Sequence, residues 1–279
     1  MSPSEPSVGE SATAAGTSAA TREPPILEVF GLGKRYSGLV ALADYGLALA
    51  PRSIHGVIGP NGAGKTTLFN LLSGMVRPTT GTIHLAGQDI TNRPPHEVAR
   101  LGIARTFQNI RLFGDLSALD NVRVAVQQRL PESIAATLLS TPAFHRREAE
   151  ATDRAMAILD RVGLAGRADR RASSLPYGDQ RRLEIGRAVA SGPTVLLLDE
   201  PSAGMNPTET AELLGLIRHL RDELGLTIVL VAHDIPLVMD LCERIQVLNY
   251  GVLIADGPPA TVRNDPEVIT AYLGQASVA

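Results

Sequence analysis

Residues 59–66 read Gly-Pro-Asn-Gly-Ala-Gly-Lys-Thr, which fits the pattern G-x-x-x-x-G-K-[ST] at every fixed position. No other stretch constrains the fold as strongly. Glycines at 59, 62 and 64 let the backbone turn tightly and approach a ligand closely. Apolar Ile54, Val57 and Ile58 precede the run and predict a buried strand. Thr67, Leu68, Phe69, Leu71 and Leu72 follow it, with the three-to-four spacing of a helix. A strand-loop-helix unit of this kind turns successive backbone N–H groups and the positive helix end toward an anion. Lys65 is placed to reach the β- and γ-phosphates of a nucleotide, and the Thr66 hydroxyl to join the shell of Mg²⁺. A turn without a ligand does not demand Lys-Thr at that offset, and Lys34 and Lys65 are the only lysines of the chain.

A second half of such a site lies far downstream. Val195-Leu196-Leu197-Leu198 is an apolar strand that ends in Asp199 and Glu200. Joined to a phosphate loop, Asp199 reads as the carboxylate that holds Mg²⁺ and Glu200 as a general base for an attacking water. Thr227–Ala232 predicts another buried strand. Between the halves, Ala155, Ile158, Leu159 and Val162 make one apolar helix face, with Asp153, Arg154, Asp160 and Arg161 off it. Pro131, Pro142 and Gly163 punctuate that zone. The expectation is an α/β core, strand-rich over 26–107 and again from 175, with a helical insertion.

Composition excludes several alternatives. The net charge of −3 gives no basic footprint for nucleic acid. Cys242 is alone, so neither an intrachain disulfide nor a cysteine metal cluster is available, and its apolar neighbours predict a core residue. No run reaches the ~18 apolar residues of a membrane span. Residues 1–25, rich in Ser, Ala, Thr, Pro and Glu, lack the basic start and apolar centre of a secretory signal and read as a disordered tail. A soluble cytoplasmic chain that docks on a membrane protein is the expectation.

With both phosphate motifs in place, residues 26–274 resemble an ATP-binding cassette (ABC) transporter ATPase. The resemblance implies a P-loop fold with a RecA-like core over 26–108 and 175–255 and an antiparallel β subdomain. It also implies a helical subdomain over 109–174 and a C-terminal segment over 256–274. ATP and Mg²⁺ are the implied ligands. Gln108, in Arg105-Thr106-Phe107-Gln108-Asn109, matches the family's glutamine loop, which senses Mg²⁺ and ATP near the membrane subunit. His233 matches the switch histidine that contacts the γ-phosphate and holds the catalytic water. Tyr36 matches the aromatic that stacks on adenine. On this reading the nucleotide site comprises Tyr36, Gly59, Pro60, Asn61, Gly62, Ala63, Gly64, Lys65, Thr66 and Thr67. Catalysis falls to Glu200, His233, Lys65 and Gln108, and metal binding to Thr66, Gln108 and Asp199.

The family's signature loop, commonly Leu-Ser-Gly-Gly-Gln, binds the γ-phosphate of the ATP held by a second subunit. Pro176, Tyr177, Gly178 and Asp179 occupy that place. Proline supplies neither hydroxyl nor N–H, and Asp179 adds a negative charge beside an anion, so an altered composite site is expected. Asn206 stands where the family's dimer-contact loop usually has Asp.

The runs Gln-Asn-Ile-Arg-Leu-Phe, Gln-Arg-Arg-Leu-Glu-Ile and Glu-Pro-Ser-Ala-Gly-Met-Asn-Pro resemble one branch, the ATPases of importers for branched-chain and related hydrophobic amino acids. The first of that branch's two ATPase subunits is the nearer match. This implies a non-identical second ATPase subunit, integral membrane permease subunits, indirectly a substrate-binding protein, and a peripheral place on the inner membrane face. Urea and amide importers share much of the pattern, and a non-transport soluble ABC ATPase is the alternative from another class. Ile110, Leu112 and Phe113 line a groove for a permease helix or anchor the helical zone to the core; the residues alone leave both open.

Overall fold

The computed structural model describes residues 23–128 and 142–276. Most of the expected tail, through residue 22, and Pro131 lie outside the described residues. In chain order the strands are β1 (Leu27–Tyr36), β2 (Leu39–Leu49), β3 (Ile54–Ile58), β4 (Thr80–Leu85), β5 (Gln88–Asp89), β6 (Ile103–Arg105), β7 (Val195–Asp199), β8 (Thr227–Val231), β9 (Arg244–Asn249) and β10 (Val252–Gly257). The helices are α1 (Lys65–Leu72), α2 (Pro95–Leu101), α3 (Ala118–Gln127), α4 (Pro142–Arg161), α5 (Tyr177–Ala190), α6 (Pro207–Leu224), α7 (Ile235–Leu241), α8 (Pro259–Arg263) and α9 (Pro266–Ala276).

Two sheets organise them. An antiparallel sheet runs β2-β1-β4-β5, and a six-stranded sheet runs β10-β9-β3-β8-β7-β6. The larger sheet is parallel except for its edge strand β10. Every position of β3, β7 and β8 is buried, as expected of parallel strands covered on both faces. The two-residue period then divides them. Val57, Val195 and Leu197 face a core shared with the antiparallel sheet and α1, while Ile54, Ile58, Leu196 and Leu198 face α6 and α7. Both apolar strands anticipated in the second half are present. This order brings the carboxyl ends of β3 and β7 to the same edge, on either side of β8.

A third apolar cluster joins α3, α4 and α5. Of the face read from sequence, Ala155, Leu159 and Val162 are buried and Ile158 is partly buried against them, and Ala151 extends the stripe one turn back along α4. Residues 109–117, expected to open a helical zone, are not helical. The buried Asn121 explains the difference. Its Oδ1 accepts from Phe113 N (2.9 Å), and its Nδ2 donates to the carbonyls of Phe113 (3.0 Å) and Ser117 (2.9 Å). Those bonds hold the backbone in a loop, and Ser117 caps α3 only afterwards. Leu112 packs on the third cluster, as the anchoring reading of this stretch expects, and Phe113 is half exposed.

Cys242 is core, as its neighbours predict. A Cβ at Gly56 on β3 would lie 2.6 Å from Val238 Cγ1 and 3.0 Å from Cys242 Sγ, so only glycine lets α7 approach this closely. Burial, with Glu243 adding to it, pushes the thiol up to about 12.

His55 on β3 is buried beside a polar cluster. Tyr45 donates to Gln246 Oε1, and Gln246 Nε2 donates to Gly46 O (3.0 Å) and Asp256 Oδ2 (3.1 Å). Burial lowers the His55 pKa to about 4, against the opposing pull of Asp256. The folded chain therefore keeps this imidazole neutral, while the unfolded chain takes up a proton below the ordinary histidine value. That contribution is complete above pH 6.5 and is lost as pH falls through 4. Urea unfolding is expected to show a loss of about 2 kcal/mol between pH 7 and pH 5. In His55→Leu the slope flattens; an unchanged slope there would assign it to another group.

Candidate functional site

The phosphate loop leaves the end of β3 and enters α1. Its glycines are required by geometry. A Cβ at Gly59 would lie 2.1 Å from the carbonyl oxygen of Leu248, and one at Gly64, where φ is 105°, would lie 2.6 Å from that of Ala41. No side chain caps the start of α1, so its first N–H groups are available to an anion. Lys65 is folded back into the loop, and its Nζ donates to the carbonyls of Gly59 and Pro60, the latter at 2.8 Å. Burial pushes its pKa down, opposed by Glu200 and Asp199.

Asp199 ends β7, and Glu200 follows with φ at 46°, left-handed backbone that a non-glycine residue adopts at a cost of about 1–3 kcal/mol. Glu200 N donates to Val231 O on β8 (2.8 Å), which fixes this corner. Two other predicted site residues meet at the Glu200 carboxylate. Gln108 Nε2 donates to its Oε2 at 3.0 Å, and His233 Nδ1 lies 3.3 Å from its Oε1. His233 itself is largely exposed, with 65% of its side chain open to solvent.

A cavity of about 500 Å³ opens between these parts. Tyr36, residues 61–67, Gln108 and Glu200 line it, so residues drawn from four separate stretches share one space. Its walls alternate basic, hydroxyl, carboxylate and aromatic groups, the mixture a nucleoside triphosphate requires. Tyr250, in the turn between β9 and β10, also lines it and was not singled out from sequence. Its only signal is an exposed aromatic before Gly251, whose N–H donates to Ala63 O of the phosphate loop (2.9 Å).

Thr66, Gln108 and Asp199 offer a hydroxyl, an amide oxygen and a carboxylate, the hard oxygen donors that Mg²⁺ takes. Among the described residues no three His, Cys, Asp or Glu gather into a metal cage.

Pro176, Tyr177, Gly178 and Asp179 do not line this cavity. They form the first turn of α5, with Pro176 as its cap and no capping side chain. The Tyr177 hydroxyl donates to Ala203 O (2.9 Å), which ties the turn to the segment after Glu200. The Asp179 carboxylate forms an ion pair with Arg167. Asn206 caps α6, accepting from Glu209 N (2.9 Å) while Glu209 Oε2 accepts from Asn206 N (3.0 Å). A neutral amide serves that cap as well as Asp does.

Arg105, Arg181 and Glu184 were missed from sequence. Arg181 Nη1 donates to Phe107 O (2.7 Å) and its Nη2 to Gln108 O (2.8 Å), so α5 holds the glutamine segment by its backbone. The local signal, charged residues on the buried face of a helix, is legible only once that face is known.

A phosphate loop at the end of β3, a carboxylate pair at the end of β7 and a glutamine segment after β6, beside an antiparallel sheet, define an ATP-binding cassette. Comparison with known proteins agrees. The ABC transporter family model matches residues 42–203, and that of the branched-chain amino acid ATP-binding cassette transporter matches residues 252–277. LivG of Escherichia coli, a high-affinity branched-chain amino acid transport ATP-binding protein, is 49% identical over 90% of this chain and 99% of its own. BraF of Pseudomonas aeruginosa, similarly described, is 48% identical over the same shares. The crystal structure of MJ1267, an ATP-binding cassette of an ABC transporter in its ADP conformation, superposes with a TM-score of 0.78 at 29% identity, covering 90% of this chain and 99% of that one. The chain belongs to the ABC transporter family, among its ATP-hydrolysing subunits. Among the described residues no helix is long and apolar enough to cross a membrane.

Proposed function

We propose that this chain hydrolyses ATP with Mg²⁺ to drive an importer of branched-chain or other hydrophobic amino acids, as the first of two non-identical ATPase subunits. The observation that carries the enzymatic part is the convergence of Gln108 and His233 on Glu200, which with Gln108 lines the phosphate-loop cavity. The amino acid class rests on the likeness to LivG and BraF over 90% of this chain, and on the branched-chain family model that matches residues 252–277.

In the proposed cycle Tyr36 stacks on the adenine. Residues 59–67 cradle the phosphates, and Lys65 exchanges its carbonyl partners for phosphate oxygens. Thr66, Asp199 and Gln108 hold Mg²⁺, which when bound neutralises charge on the β- and γ-phosphates. Glu200 takes the proton of the attacking water, with Gln108 and His233 fixing its orientation. Pro176, Tyr177, Gly178 and Asp179 face the nucleotide of the second subunit, where Gly178 and the start of α5 supply backbone donors. Pairing of Asp179 with Arg167 reduces its repulsion of that phosphate.

Residues 26–108 and 175–255 serve as the nucleotide-binding core, 109–174 as the helical arm and 256–274 as the C-terminal segment. Permease subunits dock in a groove of about 360 Å³ between the first two, whose walls include Met75, Phe107, Phe113 and Arg187. Docking there places the chain on the inner membrane face, with a substrate-binding protein acting through the permease.

The test is uptake of labelled leucine by cells lacking this chain. Uptake is expected to fall to background, to return with the wild-type chain, and to stay at background with Lys65→Ala. Retained leucine uptake together with lost urea uptake would move the assignment to the urea and amide importers.

A further inference from the structure

We propose that Arg105 is a positioning residue for the metal side of the site, which takes up one oxygen of Asp199 and leaves the other for Mg²⁺. The inference rests on the reading of Asp199 as the metal-side carboxylate. Arg105 Nη2 donates to Asp199 Oδ2 at 2.8 Å, and the two side chains are 6% and 8% exposed. Its Nη1 donates to Asn70 Oδ1 (2.7 Å) and Ser73 Oγ (3.3 Å), both at the end of α1. The rings of Phe69 and Phe107 lie 5.5 Å and 5.1 Å from the guanidinium carbon. One planar group therefore joins the helix of the phosphate loop, the strand that leads to Gln108, and the carboxylate at the end of β7.

Burying such a pair is no efficient route to stability. Desolvation offsets most of the attraction, and apolar residues of like volume serve as well. The Nε of Arg105 is buried without a partner among the described residues, a further cost. What the arrangement supplies is orientation. Asp199 N is held by Thr106 Oγ1 (3.3 Å), and Thr106 N by Leu197 O (2.9 Å), so backbone and carboxylate are both fixed from β6. A fork that grips Asp199 and Asn70 at once is a geometry lysine lacks.

Two consequences follow. The positive charge beside Asp199 lowers its attraction for a second cation, and the fork sets its angle. Binding of the non-hydrolysable β,γ-imido analogue of ATP to the full chain, by calorimetry in EDTA and in excess Mg²⁺, separates them. Arg105→Gln is expected to leave metal-free affinity within about twofold and to raise the enhancement by Mg²⁺ at least about threefold, because the opposing charge is gone. Arg105→Lys keeps the charge and is expected to keep the wild-type enhancement. Its turnover at saturating Mg-ATP drops at least about tenfold at unchanged KM, because the angle is no longer set. An unchanged enhancement in the Gln variant, or full turnover in the Lys variant, overturns the proposal. Asp199→Asn separates the parent reading: if wild type and this variant respond to Mg²⁺ alike, the metal assignment of Asp199 fails instead.

Discussion

Glu200→Gln is expected to lower ATP hydrolysis by about 10²- to 10⁴-fold while Mg-ATP binding stays within a few-fold of wild type. In the proposed function, binding falls to residues 59–67 and Tyr36, which the change does not touch, and proton removal from water to the carboxylate. The substitution is nearly isosteric, so Gln108 can still donate to the remaining carbonyl oxygen and the corner at the end of β7 is kept. Light scattering adds a second readout. Alone, the Glu200→Gln protein is expected to remain a monomer in Mg-ATP, because Pro176 removes two donors from the loop that must close on a second nucleotide. An ATP-dependent homodimer would show that Gly178 and the start of α5 suffice, and that a non-identical partner is not required. Hydrolysis at the wild-type rate would remove Glu200 from the chemistry altogether.

The parts of this site that were legible in the sequence are those whose signal is local. The phosphate loop declares itself in eight consecutive residues, and Asp199-Glu200 follows an uninterrupted apolar run. Gln108, His233 and Tyr36 carry no local signal, and became candidates only through their order relative to those two motifs. Arg105 and Arg181 had neither advantage. Their partners lie 94 and 74 residues away in Asp199 and Phe107, and nothing in the flanking residues points to them. The same distance rule explains Asp179. From sequence it is a negative charge in a binding loop, and the fold brings Arg167 beside it. Even the misjudged start of the helical zone has this origin. The helical reading of 109–174 rests on periodicity further along, and over 109–117 Asn121 captures both backbone groups of Phe113 and keeps it in a loop.

The largest stability effect is expected at Arg181. Its side chain is fully buried, and Glu184, one turn along α5, is 2% exposed. Arg181 Nη1 donates to Glu184 Oε2 at 2.8 Å, while Glu184 Oε1 accepts from Phe107 N (3.4 Å) and Arg111 N (3.3 Å). With the bonds from Arg181 to Phe107 O and Gln108 O, the pair grips residues 107–111 through donors and acceptors alike. Burial already raises the pKa of Glu184, with Arg181 the strongest opposing influence. Arg181→Leu leaves that carboxyl buried and unpaired, which is expected to cost about 3–5 kcal/mol in urea unfolding. Adding Glu184→Leu removes the stranded group, and the double variant is expected to recover most of the loss. Hydrolysis should not recover with it, because Gln108 has lost the clamp that aims it at Glu200. A loss below about 1 kcal/mol in the single variant would mean that water replaces the guanidinium. Recovery of hydrolysis with stability would mean that Gln108 needs no clamp. Stability without activity in the double variant is the result that separates a pair kept for orientation from one kept for folding.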